Sequence, residues 1–233
     1  MPTALVIGDS AGIGQAIVRR LVADGYHVTG LARRDPTFSH ERYTHAHADV
    51  RAEPAALRTQ LTKILDGLGA PLDVCIYASG IGHFLDFADM THEADVFTTN
   101  LTGLAVVAEA ILPRMIAAKH GHFVGLSSQG DKWIDAAAPS YSASKAGMSS
   151  YLHGLAFACR KHGVAVTNVR FGFVDTEMSR INETRPFLIT ADKAAHIVAR
   201  CLIRRPIRYT YPKRMAALLW LGLIPRRMRI FLS

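Results

Sequence analysis

The stretch YSASKAG at residues 141–147 places a tyrosine and a lysine four positions apart. Apolar residues continue at helical spacing through Met148, Leu152, Leu155 and Ala156, so the stretch opens a predicted helix, and residues i and i+4 project from one face of it. A free phenol, with a pKa of about 10, is too weak a base near neutrality, but an ammonium one turn away favours its phenolate. Tyr141 beside Lys145 is thus equipped to give or take a proton at a reacting oxygen. The same spacing occurs on solvated helix faces, so the rest of the chain decides between the two.

A second signal lies in ALVIGDSAGIGQAIVRRL, residues 4–21. There Gly8, Gly12 and Gly14 separate an apolar run from a helical pattern at Ile13, Ile17, Val18, Leu21 and Val22, and Gly25 is placed to close that helix in a left-handed conformation. Each glycine costs conformational order. Between a strand and a helix they permit a tight turn whose backbone N–H groups and helix N-terminus meet a phosphate. The spacing is G-x-x-x-G-x-G rather than the commoner G-x-G-x-x-G, and a glycine-rich turn also serves simply to pack a helix closely.

The elements that must carry these residues alternate along the chain. Short apolar runs at 3–8, 27–32, 72–78, 122–127, 164–171 and 207–212 are separated by longer helical patterns, the signature of repeated βαβ units. Several runs read as apolar on both faces, which suits a parallel sheet covered by helices on each side. A doubly wound sheet follows. With 233 residues, 49% hydrophobic and 20% charged, one well-buried α/β domain accounts for the length.

Cys75, Cys159 and Cys201 are far apart and form no C-x-x-C pair, against a disulfide framework or a zinc site. No metal is expected: His40, His45 and His47 with Glu41 and Asp49 read as a polar loop between strands. The apolar run at Ala4 lacks a basic leader, so a cytoplasmic location is the expectation. Net charge is +8, but residues 193–233 hold ten Lys and Arg and no acid, and the remaining 17 basic and 19 acidic side chains leave the body at −2. Such asymmetry points to an anionic partner for the tail, such as a membrane surface, rather than to nucleic acid.

Taken in order along the chain, these motifs resemble the short-chain dehydrogenase/reductase family. The resemblance implies a single-domain doubly wound (Rossmann) α/β fold over 1–212, with a mostly parallel seven-stranded sheet and helices on both faces, and a basic amphipathic tail at 213–233. Its Y-x-x-x-K pair is Tyr141 and Lys145; its glycine turn is Gly8, Gly12 and Gly14. The family's catalytic serine, thirteen residues before the tyrosine, falls on Ser128 in VGLSSQG. Ser127 competes, but neighbouring strand residues face opposite sides. The family's asparagine matches Asn100 in NLTG, whose plain alternative is a helix cap. HADV at 47–50 matches the segment in which Asp49 meets the adenine amine and Val50 covers the ring. FGFVDTEM at 171–178 resembles P-G-x-x-x-T and sets Thr176 near the nicotinamide carboxamide. Ser10, Ile13, Ala78 and Gly80 complete the implied cofactor contacts. Ile7, Phe171 and the Tyr77-Ala78-Ser79-Gly80 segment depart from the family's usual threonine, proline and N-N-A-G, which touches the cofactor site more than the chemistry.

The implied reaction is hydride transfer between a nicotinamide cofactor and a carbonyl or secondary alcohol. Ser128 would bind the carbonyl oxygen and Tyr141 would protonate it. Lys145 would lower the tyrosine pKa and hold the nicotinamide ribose, and Asn100 would anchor a water joining Lys145 to solvent. In GLARRDP, Ala32 precedes Arg33 and Arg34 with no acid before Asp35; an acid there would bind a ribose 2′-hydroxyl, whereas guanidinium groups take up a 2′-phosphate. NADP(H) is therefore expected in preference to NAD(H), with Ser10 adding a hydroxyl to that phosphate. Phe173, Met178, Phe187, Trp133 and Ile134, with His83, Phe84 and Asp131, are candidate linings for a hydrophobic substrate, and residues 178–189 for a lid. A homo-oligomer, dimer or tetramer, is implied through the helices near 100–118 and 141–161. The apolar run Met215–Ile224 has basic flanks and is too short to span a bilayer, so it suits either an interfacial helix or packing on a subunit. The competing functional reading is a non-catalytic dinucleotide-binding regulator or a membrane-recruited scaffold.

Overall fold

Five successive buried residues, Thr3–Ile7, form β1, and a strand with no solvent-facing side must lie between two helical layers. The computed structural model describes residues 1–181 and 184–217. Successive side chains of β1 go to opposite layers. Ala4 and Val6 join a core with Ile17, Leu21, Ile76, Val124, Val169 and Val198, while Leu5 and Ile7 join one with Leu57, Leu61, Leu104, Phe123 and Leu152.

The first core is roofed by α1 (Gly12–Ala23) and α6 (Ala191–Arg204). The second is roofed by α2 (Pro54–Asp66), α4 (Gly103–Ala118) and α5 (Pro139–Arg160). A short α3 (Thr91–Phe97) runs into α4 through a wide π turn at Thr98–Thr102. The remaining strands are β2 (His27–Ala32), β3 (Tyr43–His47), β4 (Val74–Tyr77), β5 (His122–Ser128), β6 (Ala165–Phe171), β7 (Val174–Asp175), β8 (Ile189–Thr190) and β9 (Arg208–Tyr211). Seven of them form one sheet in the order β3-β2-β1-β4-β5-β6-β9, and every neighbouring pair is parallel. β7 and β8 form a separate small ribbon. The expected doubly wound sheet is therefore present, parallel throughout. Its strand order reverses between β1 and β4, where the carboxyl ends of the strands open a crevice.

One expectation is corrected. His45 and His47, read as part of a polar loop, lie on β3 (Tyr43–His47) at the sheet edge, paired with β2 from Val28↔Tyr43 to Ala32↔His47. An edge strand keeps one side in water and needs no apolar run, which is why hydropathy missed it. Its inward residues serve the glycine turn. Asp9, fully buried directly after Gly8, accepts hydrogen bonds from the Tyr43 hydroxyl and from His45 Nδ1, the latter at 2.7 Å. Its carboxylate lies flat against Gly30 of β2, where a Cβ would overlap it.

Gly30→Ala is expected to lower the unfolding free energy by about 1–3 kcal/mol, as for other overpacked sites, read as a lower urea midpoint. An unchanged midpoint would show that Asp9 can move aside.

Candidate active site

The crevice is a cleft of about 660 Å³ running from the end of β2 past the glycine turn to the loop after β4. Its middle is built for an anion. Ala11 precedes α1 with no side-chain cap, and no acid stands in the helix's first turn, so the first backbone N–H groups of α1 face the cleft free of competing acceptors. Gly8 (φ +89°) leaves no room for a side chain, since a Cβ would sit 2.7 Å from the Ser79 nitrogen. At Gly14 a Cβ would overlap the Gly8 carbonyl. A dinucleotide diphosphate fits this cradle.

The two ends are also those of a dinucleotide site. Ala32, Arg33, Arg34, Asp49 and Val50 line the outer end, with Ser10, Ile13 and Thr176 beside the turn, and Ala78 and Gly80 after β4. Both arginines lean over the cleft: Arg33 Nη1 is 3.8 Å from Asp49 and Arg34 Nη1 is 3.5 Å from Glu177. Asp49 also accepts from the Arg51 backbone N–H at 2.9 Å.

Beyond Gly80 the structure gathers the residues singled out for chemistry. Tyr141 and Lys145 share one face of α5, with Lys145 Nζ 5.8 Å from the phenol ring centre. Gly82 packs on that ring, its Cβ position 2.8 Å from Tyr141 Cδ2. Burial raises the Tyr141 pKa, and a hydrogen bond with the Ser128 side chain opposes the rise. Burial lowers that of Lys145 to about 8; its ammonium donates to the Leu126 carbonyl at 3.2 Å. Asn100 sits fully buried in the π turn. Its Oδ1 accepts from the Ile81 N–H, and its Nδ2 donates to the Ile81 carbonyl and to Ser144 Oγ, each at 2.9 Å. Both amide N–H groups are thus engaged by the chain itself, clamping the loop over Tyr141. Tyr77 ties β4 to the same turn through the Thr99 carbonyl at 2.5 Å.

The strand pleat sends the two serines to different surroundings. Ser128 meets Tyr141 on one side and accepts from the Gly130 N–H at 3.0 Å. On the other side Ser127 donates to Asn168 at 2.5 Å, within a buried network that includes Ser149 and Asp131. Asp131 corrects another expectation: rather than lining a substrate pocket, it forms a buried two-point ion pair with Arg170 of β6. This pair pins the 3-10 turn Gln129–Lys132 that supplies the Gly130 N–H. The pair escaped notice because its partners lie 39 residues apart; an arginine inside the apolar run VAVTNVRF was its one trace.

Among the proposed substrate-lining residues, His83, Phe84 and Met178 line the cleft, joined by Ile181, whereas Phe173, Phe187, Trp133 and Ile134 are not among its lining residues. The cysteines are buried free thiols. Residues 218–224 of the apolar tail run lie outside the described residues, while Gln129 Nε2 donates to the Pro212 carbonyl at 3.1 Å where the tail begins.

A phosphate turn at the reversal of a parallel sheet, leading to a phenol with an adjacent amine and hydroxyl, is the arrangement of a dinucleotide-dependent oxidoreductase. Sequence comparison narrows that class: the family described as short chain dehydrogenase matches residues 2–186, and the chain belongs to it. An uncharacterized oxidoreductase of Myxococcus xanthus is 30% identical over 236 residues, covering 97% of this chain and 90% of that protein. The 3-oxoacyl-acyl-carrier-protein reductase FabG of Escherichia coli is 28% identical over 190 residues, covering 76% of this chain and 75% of its own. In fold, the closed form of serine dehydrogenase complexed with NADP+ superposes with a TM-score of 0.79 at 23% identity, over 89% of this chain and 93% of that one. The chain is an oxidoreductase of the kind that acts on CH–OH or keto groups of small molecules, with a nucleotide cofactor.

Lys145 makes the cofactor-free protein's stability pH-dependent. From about 8 up to its ordinary 10.5 the folded chain has shed a proton that the unfolded chain retains, so stability rises with pH through that window. Below it both states are protonated and the burial cost is felt in full. The stability difference between wild type and Lys145→Met, measured by urea unfolding, is expected to shift in favour of wild type across that window; a difference independent of pH would show that the amine is solvated.

Proposed function

We propose that the chain is an NADP(H)-dependent carbonyl reductase, or alcohol dehydrogenase in the reverse direction, with Tyr141 as its general acid and base. The observation that carries the reading is the meeting of Tyr141, Ser128 and Lys145 directly behind Gly80 and Gly82, which line one cleft with Arg33 and Arg34.

The dinucleotide supplies or accepts the hydride. In the reductive direction Ser128, held by Gly130, donates a hydrogen bond to the substrate's carbonyl oxygen and sets its position relative to Tyr141. The Tyr141 hydroxyl gives its proton to that oxygen as negative charge grows there. Lys145, below the ring, stabilises the resulting phenolate and holds the cofactor ribose. Asn100 is a positioning residue, keeping the 80–82 loop packed on Tyr141. Arg33, assisted by Arg34 and Ser10, takes up the 2′-phosphate. Thr176, beside the glycine turn, would hold the carboxamide, and Asp49 and Val50, which line the cleft, would bind the adenine. His83, Phe84, Met178 and Ile181 give the substrate end a mainly apolar wall, suited to a hydrophobic ketone. A purely regulatory dinucleotide-binding role would leave the half-buried Tyr141 and its buried partner Lys145 without a use.

Two measurements test this. Arg33→Ala is expected to weaken NADPH binding about 10- to 100-fold, the loss of a charge-assisted contact, with NADH binding little changed; equal losses for both would overturn the 2′-phosphate assignment. Tyr141→Phe is expected to lower kcat for carbonyl reduction about 100-fold or more while NADPH affinity, followed by fluorescence, is retained. Full activity in that variant would remove Tyr141 from the chemistry.

A further inference from the structure

We propose that Asp35, His45 and His47 form a binding site for one divalent cation of the zinc, cobalt or nickel type, where edge strand β3 meets the turn after β2. Among the described residues these three offer one ligand atom each, all within 4.8 Å of one another, and none of them lines the dinucleotide cleft.

The strand sets up the pair of imidazoles. His45 and His47 are two apart on β3, so both rings rise from one face; their centres are 4.8 Å apart and nearly perpendicular. Their partners across the sheet are Gly30 and Ala32, and the chain leaving Ala32 brings Asp35 over the same face. Asp35 Oδ1 lies 3.0 Å from His47 Nε2.

His45 is prepared for a ligand in a way that an ordinary surface histidine is not. Its side chain is 11% exposed and its Nδ1 is 2.7 Å from the wholly buried Asp9 carboxylate. A carboxylate only accepts, so Nδ1 is the donor in that contact and Nε2 is the ring nitrogen left for another partner. That Nε2 is buried and has no hydrogen-bond partner among the described residues. A buried polar atom without a partner is costly, and a cation would satisfy Nε2 of the neutral ring. A carboxylate behind the distal ring nitrogen is also the means by which proteins fix the tautomer of a metal-binding imidazole and raise its basicity. Asp9 is itself held by the Tyr43 hydroxyl, so the supporting layer is rigid.

The remaining two ligands can move to complete the set. Nitrogen and oxygen ligands bind zinc at about 2.0–2.2 Å, which separates them from each other by roughly 3.3–3.5 Å in a tetrahedron. Asp35 and His47 are already that close, and their side chains are 82% and 62% exposed. A shift of roughly 1.5 Å toward the fixed His45 closes the triangle and leaves a fourth position to water. Two imidazoles and one carboxylate select a borderline first-row ion over magnesium or calcium, which require more oxygen ligands. The two neighbouring arginines are turned away, Arg33 toward Asp49 and Arg34 toward Glu177.

The absence of a metal expected from the sequence rested on a different grouping. In the structure His40 Nδ1 accepts from the Arg42 N–H and Asp49 is engaged by Arg51, so neither belongs to the set. Asp35, which follows Arg33 and Arg34, does. A cation at this point would join the β2–β3 turn to the sheet edge and, through His45 and Asp9, to the glycine turn.

Tag-free full-length protein titrated calorimetrically with Zn²⁺, and with Co²⁺ followed by visible absorption, tests the site against His47→Ala and Asp35→Asn. Both side chains are exposed, so both variants should fold as wild type. Saturable binding of one Zn²⁺ per chain is expected, weakened about tenfold or more in each variant, with a Zn²⁺-dependent rise in melting temperature in wild type alone. Absence of saturable binding by wild type, or equal affinity in His47→Ala, would overturn the assignment. The result is independent of turnover and of the identity of any substrate.

Discussion

Gly14 lies so close to the carbonyl of Gly8 that no side chain fits between them, and this contact sets the angle at which α1 leaves β1. With α1 drawn in against the strand, its uncapped first turn opens directly onto the crevice. A bulkier residue would tilt the helix away and bury or disperse the N–H groups that give the cleft its affinity for anions. The surrounding structure keeps this turn in shape. Asp9, one residue on, is tied to the edge strand by Tyr43 and His45, and Gly30 yields the space its carboxylate needs.

A second constraint acts at the catalytic end. Asp131 and Arg170 are both buried, and an isolated charge at either place would be far too costly, so each keeps the other. Ser149 also donates to Asp131 and Thr210 accepts from Arg170 at 3.1 Å, which brings α5, β6 and β9 to one point behind Ser128. Replacing such a pair by apolar residues often leaves stability unchanged or raised, and here its geometric effect is to hold the turn whose Gly130 N–H orients the serine. The strand pleat separates the two tasks: Ser127 faces this network and Ser128 faces Tyr141.

Much of this was legible in the sequence because parallel sheets leave strong marks. Buried strands appear as runs dominated by apolar residues, and the predicted limits of β2 coincide with the observed His27–Ala32. Local motifs were equally readable: Tyr141 and Lys145 needed only helical periodicity to be set side by side, and the glycine spacing implied the turn. What escaped was non-local or half-solvated. β3 has an alternating, polar composition because one side faces water. The Asp131–Arg170 pair joins segments with no sequence relation to each other. The substrate wall depends on side-chain directions in loops, so Phe173, Trp133, Ile134 and Phe187 were plausible by type but are not among the residues lining the cleft.

The sheet's two edges carry a consequence for the chain in crowded surroundings. β3 is five residues long and edged with histidines, and β9 is four residues long and is followed at once by Pro212, which has no N–H to extend a ladder. Short, polar or proline-stopped borders are poor templates for an additional strand. The sheet is consequently guarded against growth by strand addition, whether from a second copy or from a misfolded neighbour, even though its interior strands are among the most apolar segments of the chain.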